Sequence, residues 1–179
     1  LSGFALLVSY LGQMNPQITP LMPVLVSPWL SIHVSLIMMS YALLAFIMLN
    51  GILALCLRKK ESENNVSGND AIQDNRIEQL TLVSRLLLYP ATFFLGAGIF
   101  LGAVWANVSW GRYWAWDPKE VWALITFLVY GVAFHSQSLR IFRKPLFFHI
   151  YMILAFLTVL MTYFGVNYVL GGMHSYANA

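Results

Sequence analysis

The sequence of 179 residues is poor in charge and in cysteine. Charged side chains make up only 9% of it, and Cys56 is its single cysteine. A soluble domain carries about 25% charged residues, so this composition excludes an ordinary soluble fold, a disordered chain and a nucleic-acid-binding protein. A single cysteine excludes a disulfide within the sequence and a CxxC-type metal or redox site. Because 59% of the residues are hydrophobic, we predict an integral membrane protein.

Four stretches are apolar over the roughly 20 residues that a helix needs to cross a bilayer. The predicted spans are residues 30–57, 86–106, 121–139 and 146–170. Residues 1–11 are apolar but too short to cross alone, and the sequence does not begin with methionine. We therefore expect a fragment or processed product with the end of a further helix at its start. The predicted fold is an all-α, polytopic transmembrane bundle of four full spans plus a partial N-terminal helix.

The segments between the spans differ in charge. Most of the cations lie in the short turn 140–145 and in residues 58–85, a polar stretch predicted to be a solvated loop, with a short amphipathic stretch around residues 74–82 as an alternative for part of it. Eight of the ten Lys and Arg residues lie there: Arg58, Lys59, Lys60, Arg76, Arg85, Arg140, Arg143 and Lys144. By the positive-inside rule these two segments are cytoplasmic. The outer segments are then residues 12–29, 107–120 and 171–179. The whole sequence is predicted to form one membrane domain.

Five of the six tryptophans fall within residues 105–122. One interpretation is an interfacial belt, in which amphipathic rings lie at the level of the lipid headgroups. The other is a flat apolar platform with a polar rim, which suits a large planar ligand. The sequence Asp117-Pro118-Lys119-Glu120 also has the pattern of a helix start with a capping box. A structural role for Asp117 and Glu120 is therefore favoured over catalysis.

Residues 110–120 read WGRYWAWDPKE, which resembles the WGxxWxWDxxE signature of the tryptophan-rich haem-handling proteins of cytochrome c biogenesis. Residues 27–46 and 162–177 resemble the CcsA (ResC) branch and the fused CcsBA synthetases. The similarity extends from about Asn15 to Tyr176. It implies a protein of the bacterial inner membrane, or the equivalent thylakoid membrane, with the haem loop and the C-terminus on the extracytoplasmic side.

The resemblance also implies a function. Members carry haem b across the membrane and present it to an apocytochrome c, whose CxxCH thiols form thioethers with it. The implied enzyme activity is that of a cytochrome c synthetase or haem lyase, which requires upstream sequence or a CcsB-like partner. No CxxCH motif occurs in this chain, so it is not the cytochrome product.

The histidines are the candidate haem ligands. Without the tryptophan loop, His33 and His174 fit interfacial groups bonded to water or headgroups, whereas with the loop between them they could bind a haem iron from above and below the ring. His135 fits a water-satisfied histidine near the inner surface. The resemblance implies that His33 and His174 are the external axial ligands and that His135 holds haem inside the membrane. His149 matches none of these positions and is predicted to be structural or gating, with ligation as an alternative.

The remaining predicted haem-binding residues belong to the loop, and no catalytic residue is assigned. They are Trp110, Gly111, Arg112, Trp114, Trp116 and Asp117. Arg112 either meets a haem propionate through charge-assisted hydrogen bonds or lies among the headgroups.

Three other functions fit parts of the sequence. A CcmC-type exporter shares the tryptophan loop and delivers haem to a chaperone. A di-haem electron-transfer subunit needs paired histidines on its helices, whereas His33 and His135 stand alone on theirs. A scaffold or lipid-binding module leaves the clustered tryptophans unexplained.

Overall fold

A computed structural model describes residues 28–64, 70–135 and 138–170. Within these ranges the chain is built of helices and short turns. The four α-helices are α1 (Pro28–Asn64), α2 (Asp70–Trp110), α3 (Pro118–Val132) and α4 (Pro145–Leu160). Short 3-10 helices follow α3 at Ala133–His135 and precede α4 at Arg140–Arg143, and α4 continues as a π-helix over Met161–Leu170.

Among the residues that the structure describes, three helical segments are long and apolar enough to cross a membrane. They are Pro28–Lys59, Asp74–Trp110 and Pro145–Tyr168. The predicted all-helical membrane fold is confirmed, but the prediction of four full spans is not. Helix α3 has only 15 residues, or about 22 Å at 1.5 Å per residue, and it tightens into 3-10 geometry at Ala133. The predicted partial helix at 1–11 lies outside the described residues.

The polar stretch predicted as a solvated loop at 58–85 is largely helical. Helix α1 continues to Asn64 and α2 begins at Asp70. Ile77, Thr81 and Ser84 are buried, and their spacing places them on one face of α2. The sequence looked solvated because polar residues surround this narrow buried face.

Helices α1 and α2 form an antiparallel pair. The Ser40 hydroxyl donates to the carbonyl of Ala91 (2.8 Å), and the Asn50 amide donates to the Ser84 hydroxyl (3.3 Å). Near the start of α1 the helices approach so closely that a β-carbon on Gly98 would lie 2.6 Å from Cδ1 of Ile37. Any larger residue at position 98 would require the side chain of Ile37 to move.

The core lies where α1, α2, α3 and α4 meet. Its buried residues are Leu44, Ile47, Leu88, Ala91, Tyr130, Ala133, Phe142, Phe148, Met152, Ala155 and Val159. Large apolar side chains such as Phe93 and Phe100 remain 69% exposed on the outer surface. An apolar exterior around an apolar core is what a bilayer environment selects.

The bundle has two ends of different composition. The tryptophan end consists of the starts of α1 and α3, the end of α2 and the π-helix after α4. The basic end consists of the opposite helix ends and holds the eight Lys and Arg residues counted above. Any site built from His33 and the tryptophan loop therefore belongs to the first end, away from most of the positive charge.

Candidate functional site: a cavity at the tryptophan end

His33 lies between α1 and α2 at the tryptophan end and is half-buried. Its Nδ1 is 2.7 Å from the carbonyl oxygen of Gly98. Because a carbonyl only accepts hydrogen bonds, this contact assigns the proton of the neutral ring to Nδ1 and the lone pair to Nε2. A backbone carbonyl on one ring nitrogen is the usual support for a histidine that binds a metal through the other.

The ring of His33 packs directly on the backbone of α2. A β-carbon on Gly102 would lie 2.7 Å from Cε1 and 2.8 Å from Nδ1 of the imidazole. Gly98 and Gly102 are four residues apart and so share a face of α2. These two glycines together set the position of the ring and its hydrogen bond.

Beside His33 is an open cavity of about 180 Å³. Its walls come from α1, α2, α3, the loop that joins α2 to α3, and the π-helix. Besides aliphatic residues they include His33, Tyr41, Trp105, Tyr113, Trp114, Lys119, Glu120, Thr162 and Tyr163. The cavity is therefore mostly apolar, with one imidazole, one ammonium group, one carboxylate and a few hydroxyl groups, a mixture typical of small-molecule sites.

The tryptophans of the loop do not lie in one plane. Trp105 and Trp110 meet at 71° with ring centroids 4.9 Å apart, and Trp114 and Trp116 meet at 88° with centroids 5.9 Å apart. Both arrangements are edge-to-face contacts. The predicted flat platform is therefore wrong in this detail, because each indole packs its edge against a neighbour's face.

The turn before α3 is fixed by the predicted capping box. Asp117 accepts a hydrogen bond from the backbone N–H of Lys119 (3.4 Å). Glu120 Oε2 accepts from the backbone N–H groups of Ala115 (2.8 Å) and Asp117 (3.2 Å). The predicted structural role of both carboxylates is confirmed.

Two residues of the loop have left-handed backbone conformations, Gly111 at φ 71° and Trp116 at φ 56°. This region is unusual for a bulky residue and costs about 1–2 kcal/mol. The Glu120 hydrogen bonds on either side of Trp116 stabilise this conformation, and the indole of Trp116 is left 74% exposed.

The structure divides the predicted haem-binding residues into groups. His33 and Trp114 line the cavity, and Trp110 packs against Trp105 in its wall. Gly111, Arg112, Trp116 and Asp117 belong to the loop but do not line the cavity, and Gly111, Arg112 and Trp116 are exposed. His174 lies outside the described residues.

His135 occupies a different place. It is exposed in the 3-10 turn after α3, with Nδ1 3.3 Å from the carbonyl of Gly131. Because α3 begins beside the cavity and ends at this turn, His135 and His33 are at opposite ends of the bundle. Helix α3, with 15 residues or a length of about 22 Å, runs between the two positions.

His149 is fully buried between α2 and α4. The Thr81 hydroxyl donates to the carbonyl of Ile77 (2.7 Å) and lies 2.9 Å from His149 Nε2. Since the single hydroxyl hydrogen is used on Ile77, Thr81 accepts from the Nε2–H of His149. Nδ1 of His149 has no hydrogen-bond partner among the described residues.

Lys119 is a cavity residue that sequence reasoning missed. It is half-buried, and its Nζ donates to the side-chain oxygen of Asn167 (3.2 Å). Burial lowers the pKa of its ammonium group, and the nearby charge of Asp117 acts in the opposite direction. The position of this lysine among four tryptophans is the sequence feature that indicates a binding role. The capping pattern around it assigns roles only to its acidic neighbours.

Among the described residues, no group of three or more His, Cys, Asp or Glu side chains is arranged to hold a metal ion. The cavity instead offers one oriented imidazole beside aromatic rings. Such a site fits a ligand that brings its own planar metal complex, for which the protein supplies only axial ligands.

The family described as Cytochrome C assembly protein matches residues 1–174. The chain belongs to this family. The predicted resemblance to CcsA-type biogenesis proteins is thereby confirmed.

The named relatives are longer than this chain. It is 40% identical over 177 residues to protein NrfI of Wolinella succinogenes, covering 99% of this chain and 19% of that protein. It is 41% identical over 162 residues to cytochrome c biogenesis protein CcsA of Chlamydomonas reinhardtii, covering 89% and 44%. The CcsA of Pyropia yezoensis is 36% identical over 197 residues, covering 88% and 60%.

Proposed function

We propose that this chain binds haem b in the cavity at the tryptophan end and presents it to an apocytochrome c for covalent attachment. The observation that carries the proposal is the His33 imidazole, whose Nδ1 donates to the Gly98 carbonyl and whose ring lies at the edge of the cavity. In a neutral ring with this hydrogen bond, Nε2 is the nitrogen whose lone pair an iron atom would bind. Membership of the cytochrome c assembly family supports the choice of haem as substrate.

The cavity fits one edge of a porphyrin. Its volume of about 180 Å³ is below the range of about 300–1,000 Å³ for sites that enclose a drug-sized ligand. The rest of the macrocycle would project from it. Trp114 and Trp105 offer apolar ring surface to the enclosed part, and an open edge suits a substrate that a second protein must reach.

We further propose His174 as the second axial ligand and His135 as a ligand for haem in transit, as the family resemblance implies. The exposure of His135 at the basic end supports a second haem-binding position, separate from the cavity. The concentration of basic residues at that end supports a cytoplasmic orientation for it and an extracytoplasmic orientation for the cavity. The proposed setting is the bacterial inner membrane or its thylakoid equivalent.

The proposed reaction is the addition of two cysteine thiols to the two vinyl groups of haem. In each addition a sulfur–carbon bond forms, the thiol S–H bond breaks, and the hydrogen ends on the neighbouring vinyl carbon, so no net electrons are exchanged. The chain's contribution is positional. Holding the vinyl groups at a fixed edge turns a bimolecular encounter into an oriented one, which accounts for large rate effects. An apocytochrome with CxxCH and a CcsB-like protein or domain are the proposed partners.

The test is co-expression with a CxxCH reporter and a CcsB-like partner, followed by purification and absorption spectroscopy. We expect His33→Ala to lose the haem absorption band and covalent haem on the reporter, and added imidazole to restore part of the band. Ser35→Ala, at an exposed position two residues along α1, is the matched control and should behave like the unaltered protein.

Two other results would redirect the proposal. Full reporter maturation by His33→Ala would contradict it. Haem bound by the unaltered protein but passed to a soluble chaperone, with no thioether formed, would indicate the exporter function instead.

A further inference from the structure

Lys119 connects two sides of the cavity. It lies in the first turn of α3, and its Nζ reaches the side-chain oxygen of Asn167 in the π-helix at 3.2 Å. Both Lys119 and His33 line the same cavity. The ammonium group is therefore placed across from the imidazole-bearing helix rather than in the surrounding solvent.

The charged side chains of this turn differ in the kind of hydrogen-bond partner they have. Glu120 Oε2 accepts from two backbone N–H groups, and Asp117 Oδ2 accepts from a third. Both carboxylates therefore serve the backbone of the turn. Lys119, in contrast, donates to a neutral amide oxygen, which uses one of the three N–H donors of an ammonium group.

Burial of this ammonium group is unfavourable without an anionic partner. Desolvation lowers the pKa of Lys119, and the attraction of Asp117 offsets this only in part, since the net shift remains downward. An anion that entered the cavity would supply a charge-assisted hydrogen bond in a site of low dielectric. Glu120 also lines the cavity, but its Oε2 accepts from two backbone N–H groups, so Lys119 is the charged group that favours a ligand with a negative group on its side.

We infer that Lys119 binds a carboxylate of the ligand held in this cavity, which for a porphyrin is a propionate. The inference rests on the proposed function and extends it, because it fixes which edge of the porphyrin faces the start of α3. The propionate edge would lie toward α3 and Lys119. Arg112, for which the sequence leaves a propionate contact and a place among the headgroups as alternatives, is exposed and does not line the cavity.

The test compares haem with haem dimethyl ester, in which both propionates are neutral. Each is titrated into the haem-free full chain in detergent, and affinity is read from the absorption spectrum. We expect the unaltered protein to bind haem about tenfold to a hundredfold more tightly than the ester, the range for a hydrogen bond to a charged group. K119M should bind both equally, and K119R should retain most of the preference. K144M, at an exposed position of the basic end, is the control and should keep it fully.

The outcomes separate the inference from the proposed function. Equal binding of haem and ester by the unaltered protein, or an undiminished preference in K119M, would overturn the inference while leaving haem binding intact. If K119M does not fold, as judged by size-exclusion chromatography, the ester comparison in the unaltered protein and in K119R decides. Failure of the unaltered protein to bind either compound would contradict the proposed function and the inference with it.

Discussion

Gly102 of α2 lies directly against the imidazole of His33 of α1. A β-carbon at this position would be 2.7 Å from Cε1 of the ring, so Gly102→Ala must displace the imidazole. The displacement would weaken the hydrogen bond to Gly98 and misdirect Nε2. Because such a bond contributes about 0.5–1.5 kcal/mol, we expect haem affinity to fall about tenfold, measured by absorption titration.

Gly131→Ala is the control for this substitution. A β-carbon on Gly131 meets nothing within 4 Å, and alanine favours the helical conformation by about 1 kcal/mol over glycine. This variant should bind haem normally and be at least as stable as the unaltered protein. If both alanine variants bound haem equally well, the close packing of Gly102 would have no part in positioning His33.

Trp114 and Trp116, which form an edge-to-face pair, differ in their access to the cavity. Trp114 lines it, whereas Trp116 is 74% exposed. We therefore expect Trp114→Ala to reduce haem affinity at least tenfold, because burying an aromatic side chain contributes about 1–3 kcal/mol. Trp116→Ala should change the affinity less than threefold. Titrations of both variants test this, and a larger effect of Trp116→Ala would mean that haem rests on the loop rather than in the cavity.

Glu120 stabilises the turn through the backbone of Ala115 and Asp117. Glu120→Ala removes both hydrogen bonds while Trp116 keeps its left-handed conformation, so we expect a loss of about 1–2 kcal/mol in the free energy of unfolding. Glu120→Gln keeps an acceptor and should lose less. Thermal unfolding in detergent measures both, and Glu78→Ala, at an exposed position on α2, should unfold like the unaltered protein.

Thr81 and His149 form a buried polar pair at the basic end, away from the cavity. Thr81→Val leaves the Nε2–H of His149 without its acceptor, which costs about 1–3 kcal/mol for a buried donor. We expect reduced thermal stability with an unchanged haem spectrum. A changed spectrum would indicate that His149 binds haem, the alternative that the sequence leaves open.

How far the sequence predicts this structure depends on the type of signal. The capping box of Asp117 and Glu120 is a local pattern and was predicted correctly. The helical ends around Asn64 and Asp70 were missed, because only contact with other helices shows that Ile77, Thr81 and Ser84 face inward. The short α3 was also misjudged, since hydropathy does not register the change to 3-10 geometry at Ala133.

The candidate site shows the same difference between local sequence patterns, which can be predicted, and contacts between helices, which cannot. His33 and Trp114 were predicted from the resemblances over residues 27–46 and 110–120, but the contacts of His33 with Gly98 and Gly102 require the packing of α1 on α2. Lys119 is cationic in any solvated loop. Only the fold shows that it is half-buried beside the cavity.

The lowered pKa of Lys119 predicts how porphyrin binding depends on pH. A bound carboxylate favours the charged ammonium, so the pKa of Lys119 is higher in the complex than in the ligand-free protein. Affinity for haem should be constant below the ligand-free pKa and should fall as pH rises from that value to the pKa of the complex. Titrations between pH 7.5 and 10 measure this, because histidine is already neutral at the start of the range.

The comparison that isolates Lys119 uses its variants and the ester. His33, Tyr41, Tyr113, Glu120 and Tyr163 also line the cavity, and K119M keeps all of them. K119M should therefore show only the pH dependence that these groups contribute, and haem dimethyl ester should show the same weak dependence with the unaltered protein. K119R should bind haem without the fall, because a guanidinium group stays charged throughout the range. If haem affinity in the unaltered protein and in K119M followed the same curve, the charge of Lys119 would not contribute to binding.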